Sequence, residues 1–160
     1  RTYLETKFGG KDRAIEVYGQ IDEAAKAIGL NINWEGIKTT PNTLNAHRLI
    51  HWAGLEGRQT PVVQFLFDAY FVQGRDIGER DVLADIADSA EMDASVVRRL
   101  LEGDADAADI RARDANARAK GVTGVPTFII ANQHVVPGAQ QPDLWLKLVD
   151  EINEQLDGTE

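Results

Sequence analysis

Between Gly121 and Ile130 the chain reads Gly-Val-Thr-Gly-Val-Pro-Thr-Phe-Ile-Ile, and no other stretch limits the fold so tightly. The segment before it, from Asp104 to Lys120, is rich in Ala and Arg and reads as a helix. Gly121 is a natural stop for that helix, because glycine takes up the left-handed conformation without a Cβ penalty. Thr127 to Ile130 is β-branched and aromatic, which predicts a strand. Proline is tolerated directly before a strand, where the residue need not donate to the ladder. A Val-Pro bond in such a turn is also a natural place for a cis peptide. Asn132-Gln133 is expected to turn the chain, and His134-Val135-Val136 to return as a second strand ended by Pro137-Gly138. Pro142 then opens a last helix with Trp145, Leu148, Val149, Ile152 and Leu156 on one face.

Upstream of Gly121 the chain reads mostly as helix. A short one is expected over Thr2 to Phe8, closed by Gly9-Gly10. Ile15, Tyr18, Ile21, Ala25 and Ile28 recur at three- and four-residue steps, the mark of an amphipathic helix; Gly29 ends it. Leu30 to Trp34 alternates and suits a short extended piece. Asn42 or Thr43 is placed to cap the next helix, which carries Leu44, Ala46, Leu49, Ile50 and Ala53. Thr60-Pro61 looks like a cap followed by proline at the first helical position. The helix after it, with Phe65, Leu66, Phe67, Tyr70, Phe71 and Val72, is apolar nearly all round and is expected to be buried on most sides. Two shorter helices follow, around Val82–Ala87 and Val96–Leu101, the second with Asp93 as its cap. Trp34, Trp52 and Trp145 are expected in the core. The chain is thus mainly α with one short β-hairpin. A lone hairpin is marginal in water and its free edge invites pairing, so the sheet is expected to be incomplete.

Composition narrows the function. The net charge is −9 over 160 residues, with no basic stripe for a phosphate backbone, so no nucleic-acid partner is expected. No apolar run reaches the roughly 18 residues of a membrane span; the longest, Phe65 to Val72, is broken by Asp68. No signal peptide opens the chain, which begins at Arg1 rather than Met. There is no cysteine, hence no thiolate chemistry within these residues. His47 and His51 have the four-residue spacing of a zinc pair, but Arg48 stands where a metalloprotease has Glu, and His134 is far along the chain, so no metal is expected. Ser89 and Ser95 lie in no nucleophile elbow. Asp104, Asp106 and Asp109 suit a helix start, where the macrodipole favours negative charge. No catalytic residue is assigned to this chain.

Gly121 to Ile130, with Gly138-Ala-Gln-Gln-Pro-Asp143 after it, resembles the cis-proline loop and the approach to the last helix in thioredoxin-like proteins. Three upstream stretches extend the likeness: Tyr3-Leu-Glu-Thr-Lys-Phe-Gly9, Thr40-Pro-Asn-Thr-Leu-Asn-Ala-His-Arg-Leu49, and Leu66-Phe-Asp-Ala-Tyr-Phe71 followed by Gly74-Arg-Asp-Ile77. Together they are similar, in order, to the FrnE group of the DsbA family. The resemblance implies an α/β, thioredoxin-like fold of the DsbA type with an inserted helical domain. Residues 1–10 would be the helix after the opening part of the core, 11–103 the insertion, and 104–160 the rest of the core with its cis-Pro loop. It further implies that the opening strand, Cys-x-x-Cys helix and second strand lie upstream of Arg1, leaving this chain a truncated and inactive form.

What the family does carries over as implication only. The activity would be thiol–disulfide exchange in a cytoplasmic oxidoreductase or isomerase, with no cofactor and with an extended peptide or thiol as partner. Val125 would hold that partner through its backbone, beside Gly124, and Pro126 would set the geometry. Asn42, Asn45 and His47 are candidate ligand contacts from the helical part. The same architecture resembles kappa-class glutathione transferases and 2-hydroxychromene-2-carboxylate isomerases, which would make glutathione the co-substrate. A third alternative is a peptide-binding module without enzymatic activity. Uncovered hairpin residues, Phe128 and Ile130, are expected to find cover in a homodimer or by strand exchange.

Overall fold

A computed structural model describes residues 9–130 and 134–157. The expected helix over Thr2–Phe8, the turn at Asn132-Gln133 and the side chain of Leu156 lie outside what it describes. The chain divides within one helix, between Arg111 and Ala112, into two compact units.

The first unit is helical: α1 (Lys11–Ala27), α2 (Leu44–Leu55), α3 (Gln59–Phe67) running into a π-helical turn (Asp68–Val72), α4 (Arg80–Ser89), α5 (Ala94–Glu102) and the start of α6 (Ala107–Ala119). Its core is set by helical periodicity. Leu49 and Ala53 of α2, Val62 and Leu66 of α3, Leu83 and Ala87 of α4, and Val97 and Leu101 of α5 turn one face inward. Leu49, Val62, Leu83 and Leu101 are the largest wholly buried side chains. α2 packs on α3 and α4 on α5, and α4 also packs on both α2 and α3. Buried alanines at 46, 53, 84 and 87 let these helices approach closely.

Helix ends follow local chemistry. Asp93 caps α5 as expected, its carboxylate accepting from the N–H groups of Ser95 and Val96. α6 closes in a Schellman arrangement: Gly121 takes φ 88°, its N–H donates to Arg118 O, and the Val122 N–H donates to Ala117 O. Glu91 closes α4 in the same way without being glycine, at φ 61°.

Several expectations fail in detail. α3 begins at Gln59, so Pro61 is its third residue, not its first. Proline fits there because the first N–H groups of a helix lack intrahelical acceptors anyway. The apolar run beyond Pro61 is not buried all round: Val62, Leu66 and Ala69 face the core, whereas Phe67 is 56% exposed and stacks on Phe71 at 6.0 Å. Leu30–Asn33 forms no strand; Asn33 N–H instead donates to the Phe71 carbonyl at 2.7 Å. Along α1, Ile15 and Ile21 are exposed, as is Ile28 just after it, while Ala25 is buried. The periodicity there identifies a face, and among the described residues Trp34 covers part of it, edge to face with Tyr18 at 5.1 Å. Trp52 is in the core, while Trp34 and Trp145 are half-buried.

The second unit holds the rest of α6, β1 (Thr127–Ile130), β2 (His134–Pro137) and α7 (Pro142–Asp157). The strands pair antiparallel, with Phe128 opposite Val136 and Ile129 opposite Val135. Among the described residues they are the whole sheet. The expectation that Phe128 and Ile130 stand uncovered is met in part: Phe128 is 42% exposed. Their face of the hairpin meets Trp145 of α7, edge to face with Phe128 at 4.8 Å, and Ile130 is half-buried. Strand alternation puts Ile129 and Val135 on the other face, where they are 54% and 62% exposed.

Candidate functional site

The open hairpin face is one wall of a cleft of about 710 Å³ in the second unit. Thr127, Ile129, Val135 and Pro137 form that wall, and the loop from Lys120 to Pro126 forms the other. The Val125–Pro126 peptide bond is cis. Two hydrogen bonds hold the loop to the hairpin. Thr127 Oγ1 donates to the Gly124 carbonyl at 2.7 Å, and the Gly138 N–H donates to the Pro126 carbonyl at 2.7 Å.

Both bonds bracket Val125 and neither uses it. Among the described residues no partner meets the Val125 N–H or C=O, and the residue is 92% exposed. Backbone polar groups in this state are open to an extended chain laid alongside. Gly124, Val125 and Pro126 are therefore brought together, in one cleft.

Asn42 lines a different, smaller cleft of about 410 Å³ in the first unit, with Thr39, Asn45, Asp76 and Glu79. Much of its polar lining serves the chain's own path. Asn42 Oδ1 accepts the Leu44 N–H at 3.0 Å, while Thr43, the residue at the helix boundary, makes no side-chain cap. Asp76 accepts from Thr39 Oγ1 at 2.6 Å and from the Gly78 N–H at 2.8 Å. The Tyr70 hydroxyl donates to the Thr39 carbonyl at 3.1 Å; burial, with lesser contributions from Tyr18 and Asp76, pushes that phenol above the usual tyrosine range. His47 lines neither cleft. It is exposed on α2 rather than packed, because the buried stripe of that helix runs through Ala46, Leu49, Trp52 and Ala53.

Arg48, next to it, is the residue that sequence reasoning overlooked. Only 2% exposed, it donates from Nε to Ala105 O at 2.7 Å, from Nη2 to Leu100 O at 2.7 Å and Gly103 O at 2.9 Å, and from Nη1 to Asn45 Oδ1 at 2.8 Å. Its guanidinium lies 5.0 Å from the Trp52 ring centroid, and Trp52 Nε1 donates to Asp106 at 2.8 Å. Burial pulls its pKa below the usual arginine range, and Asp104 and Asp106 act against that. Asn45, a candidate ligand contact, is thus engaged in holding Arg48. The available signal was the i, i+4 step from Arg48 to Trp52, which put an arginine on the apolar stripe.

Among the described residues no group of three or more His, Cys, Asp or Glu is placed to hold a metal ion. No helix among them is long and apolar enough to cross a membrane.

The cis-proline turn entering an antiparallel hairpin, backed by a terminal helix and preceded by a helical unit, is the pattern of a DsbA-like thioredoxin domain. The chain belongs to that family: the model of the DSBA-like thioredoxin domain matches residues 6–150. A crystal structure of a probable DsbA oxidoreductase from Streptomyces coelicolor superposes with a TM-score of 0.81 at 27% identity, covering 94% of this chain and 65% of that one. The uncharacterized protein YwbO of Bacillus subtilis is 28% identical over 133 residues, 82% of this chain and 66% of YwbO. The chain therefore spans about two thirds of the length of these relatives.

Proposed function

We propose that this chain is the substrate-holding portion of a thiol–disulfide oxidoreductase of the FrnE type, and that the exchanging dithiol belongs to a segment of the parent protein outside this sequence. Val125 carries the reading. Its N–H and C=O lack partners among the described residues, at the lip of a cleft with one apolar wall. An extended substrate can add there as a short strand, taking main-chain hydrogen bonds for affinity and a side-chain bed for selectivity. Membership of the family supplies the reaction class, and the coverage of the two relatives leaves room for a further strand–helix–strand unit.

In the parent, a thiolate attacks one sulfur of the substrate disulfide and the other sulfur leaves as a thiolate. This chain's own part is positioning. Holding the residues beside the substrate cysteine against Val125 restricts the reacting sulfurs to a productive approach. The helical segment 11–103 is the insertion of the parent's thioredoxin core. Phe128 is 42% exposed, and the isolated chain covers it against a second copy by dimerisation or strand exchange. Light scattering that finds only monomer at micromolar concentration would count against that pairing.

The central test is a titration of this chain with an extended apolar peptide, followed by amide chemical shifts. Changes should concentrate at Val122–Thr127 and Val135. A bound peptide that leaves those amides unmoved refutes the assignment of the cleft. In parallel, the chain should give no dithiothreitol-driven insulin reduction above background, since it contains no cysteine; turnover would refute placing the dithiol elsewhere.

A further inference from the structure

The lining of the Val125 cleft is uneven in charge. Lys120 is the one charged residue among those that line it; the rest are apolar, hydroxylic or glycine. This stands out in a chain of net charge −9. The placement of Lys120 is fixed by backbone, not by packing of its own side chain. It ends α6, its N–H bonded to Asn116 O and Ala117 O at 3.1 Å, with the Schellman closure at Gly121 directly after it. Arg118, the neighbouring cation, is committed to Asp114 at 2.8 Å. Lys120 has no ion-pair partner among the described residues.

A cation left unpaired beside an apolar bed selects what the bed receives. We infer that the cleft takes an extended apolar peptide segment bearing a carboxylate, and that Lys120 is the residue that selects for that charge. The inference rests on the peptide-holding reading of the same cleft and deepens it. Ile129, Val135 and Pro137 receive the apolar side chains, Val125 bonds the main chain, and the Lys120 ammonium meets an Asp or Glu side chain or a terminal carboxylate. The pair would sit at a solvated rim, so it should discriminate modestly and respond to salt.

The test uses three fluorescent apolar peptides that differ at one position, Glu, Gln or Lys, read by anisotropy with this chain. The Glu peptide should bind about two- to fivefold more tightly than the Gln peptide at low salt, the range of an exposed ion pair, and the Lys peptide more weakly than either. At about 0.5 M salt, where the Debye length falls to roughly 4 Å, the three should converge. Lys120→Gln should abolish the order and Lys120→Glu should invert it. Because Lys120 is exposed, neither variant should alter the fold; far-UV circular dichroism checks this. An order that survives in Lys120→Gln overturns the inference while the peptide-holding reading stands, provided the Val122–Thr127 amides still shift. Failure of all three peptides to bind overturns both.

Discussion

Replacing Arg48 with methionine should cost the helical unit about 3 kcal/mol. The substitution keeps an unbranched apolar stem and removes the guanidinium with its four hydrogen bonds, three of them to main-chain carbonyls at Leu100, Gly103 and Ala105. Gly103 is exposed, so water can replace the donor to its carbonyl; Leu100 and Ala105 are half-buried and their carbonyls are left with little cover. An unsatisfied buried acceptor costs about 1–3 kcal/mol, and loss of the arginine stacked on Trp52 adds about 1 kcal/mol. Relief from burying a charge offsets part of the sum. With a urea dependence of roughly 2 kcal/mol per molar, the unfolding midpoint should fall by about 1.5 M. Far-UV circular dichroism follows the transition, and amide exchange should quicken most between Leu100 and Ala107. Arg48→Lys should recover less than half the loss, because one ammonium cannot span acceptors that a planar fork reaches together. A midpoint shift below about 0.5 M for Arg48→Met, less than roughly 1 kcal/mol on the same scale, would refute the reasoning and imply that water takes over the guanidinium's role.

Further outcomes follow from the same geometry. Leu83→Ala, at a wholly buried site, should lose about 2–5 kcal/mol by cavity formation, read from the urea midpoint. Gly124→Ala should leave stability within about 1 kcal/mol of the parent, since nothing lies within 4 Å of the added Cβ; any fall in peptide affinity then reports on the cleft and not on folding. Asp93 has its pKa lowered by Ser95's hydroxyl first and then by the N–H groups of Val96 and Ser95. Its stabilisation is therefore present above the ordinary aspartate range and lost as pH falls through the lowered value. Thermal melts between pH 5 and pH 2 should show a component of the acid loss that is absent in Asp93→Asn, and an unchanged profile would exclude the cap as its source.

The helical succession, the hairpin, the last helix and the loop before the first strand are all legible in the order of residues. These follow from short-range rules: helical periodicity, a cap at Asp93, a glycine stop at Gly121, and β-branched residues after Pro126. The same local signals place Gly124, Val125 and Pro126 in one loop. Tertiary structure decided which apolar faces are covered. Ile15 and Ile28 have the spacing of core residues yet stand exposed, because burial depends on what packs opposite and not on period alone. Alternation puts Phe128 and Ile129 on opposite faces of the hairpin, and only the fold shows that Trp145 meets the face of Phe128. Arg48 needed the whole fold to be understood, since its three carbonyl acceptors lie more than fifty residues along the chain. Long-range acceptors leave no mark in the sequence around the donor, and cover for an apolar face is a property of the neighbour that supplies it.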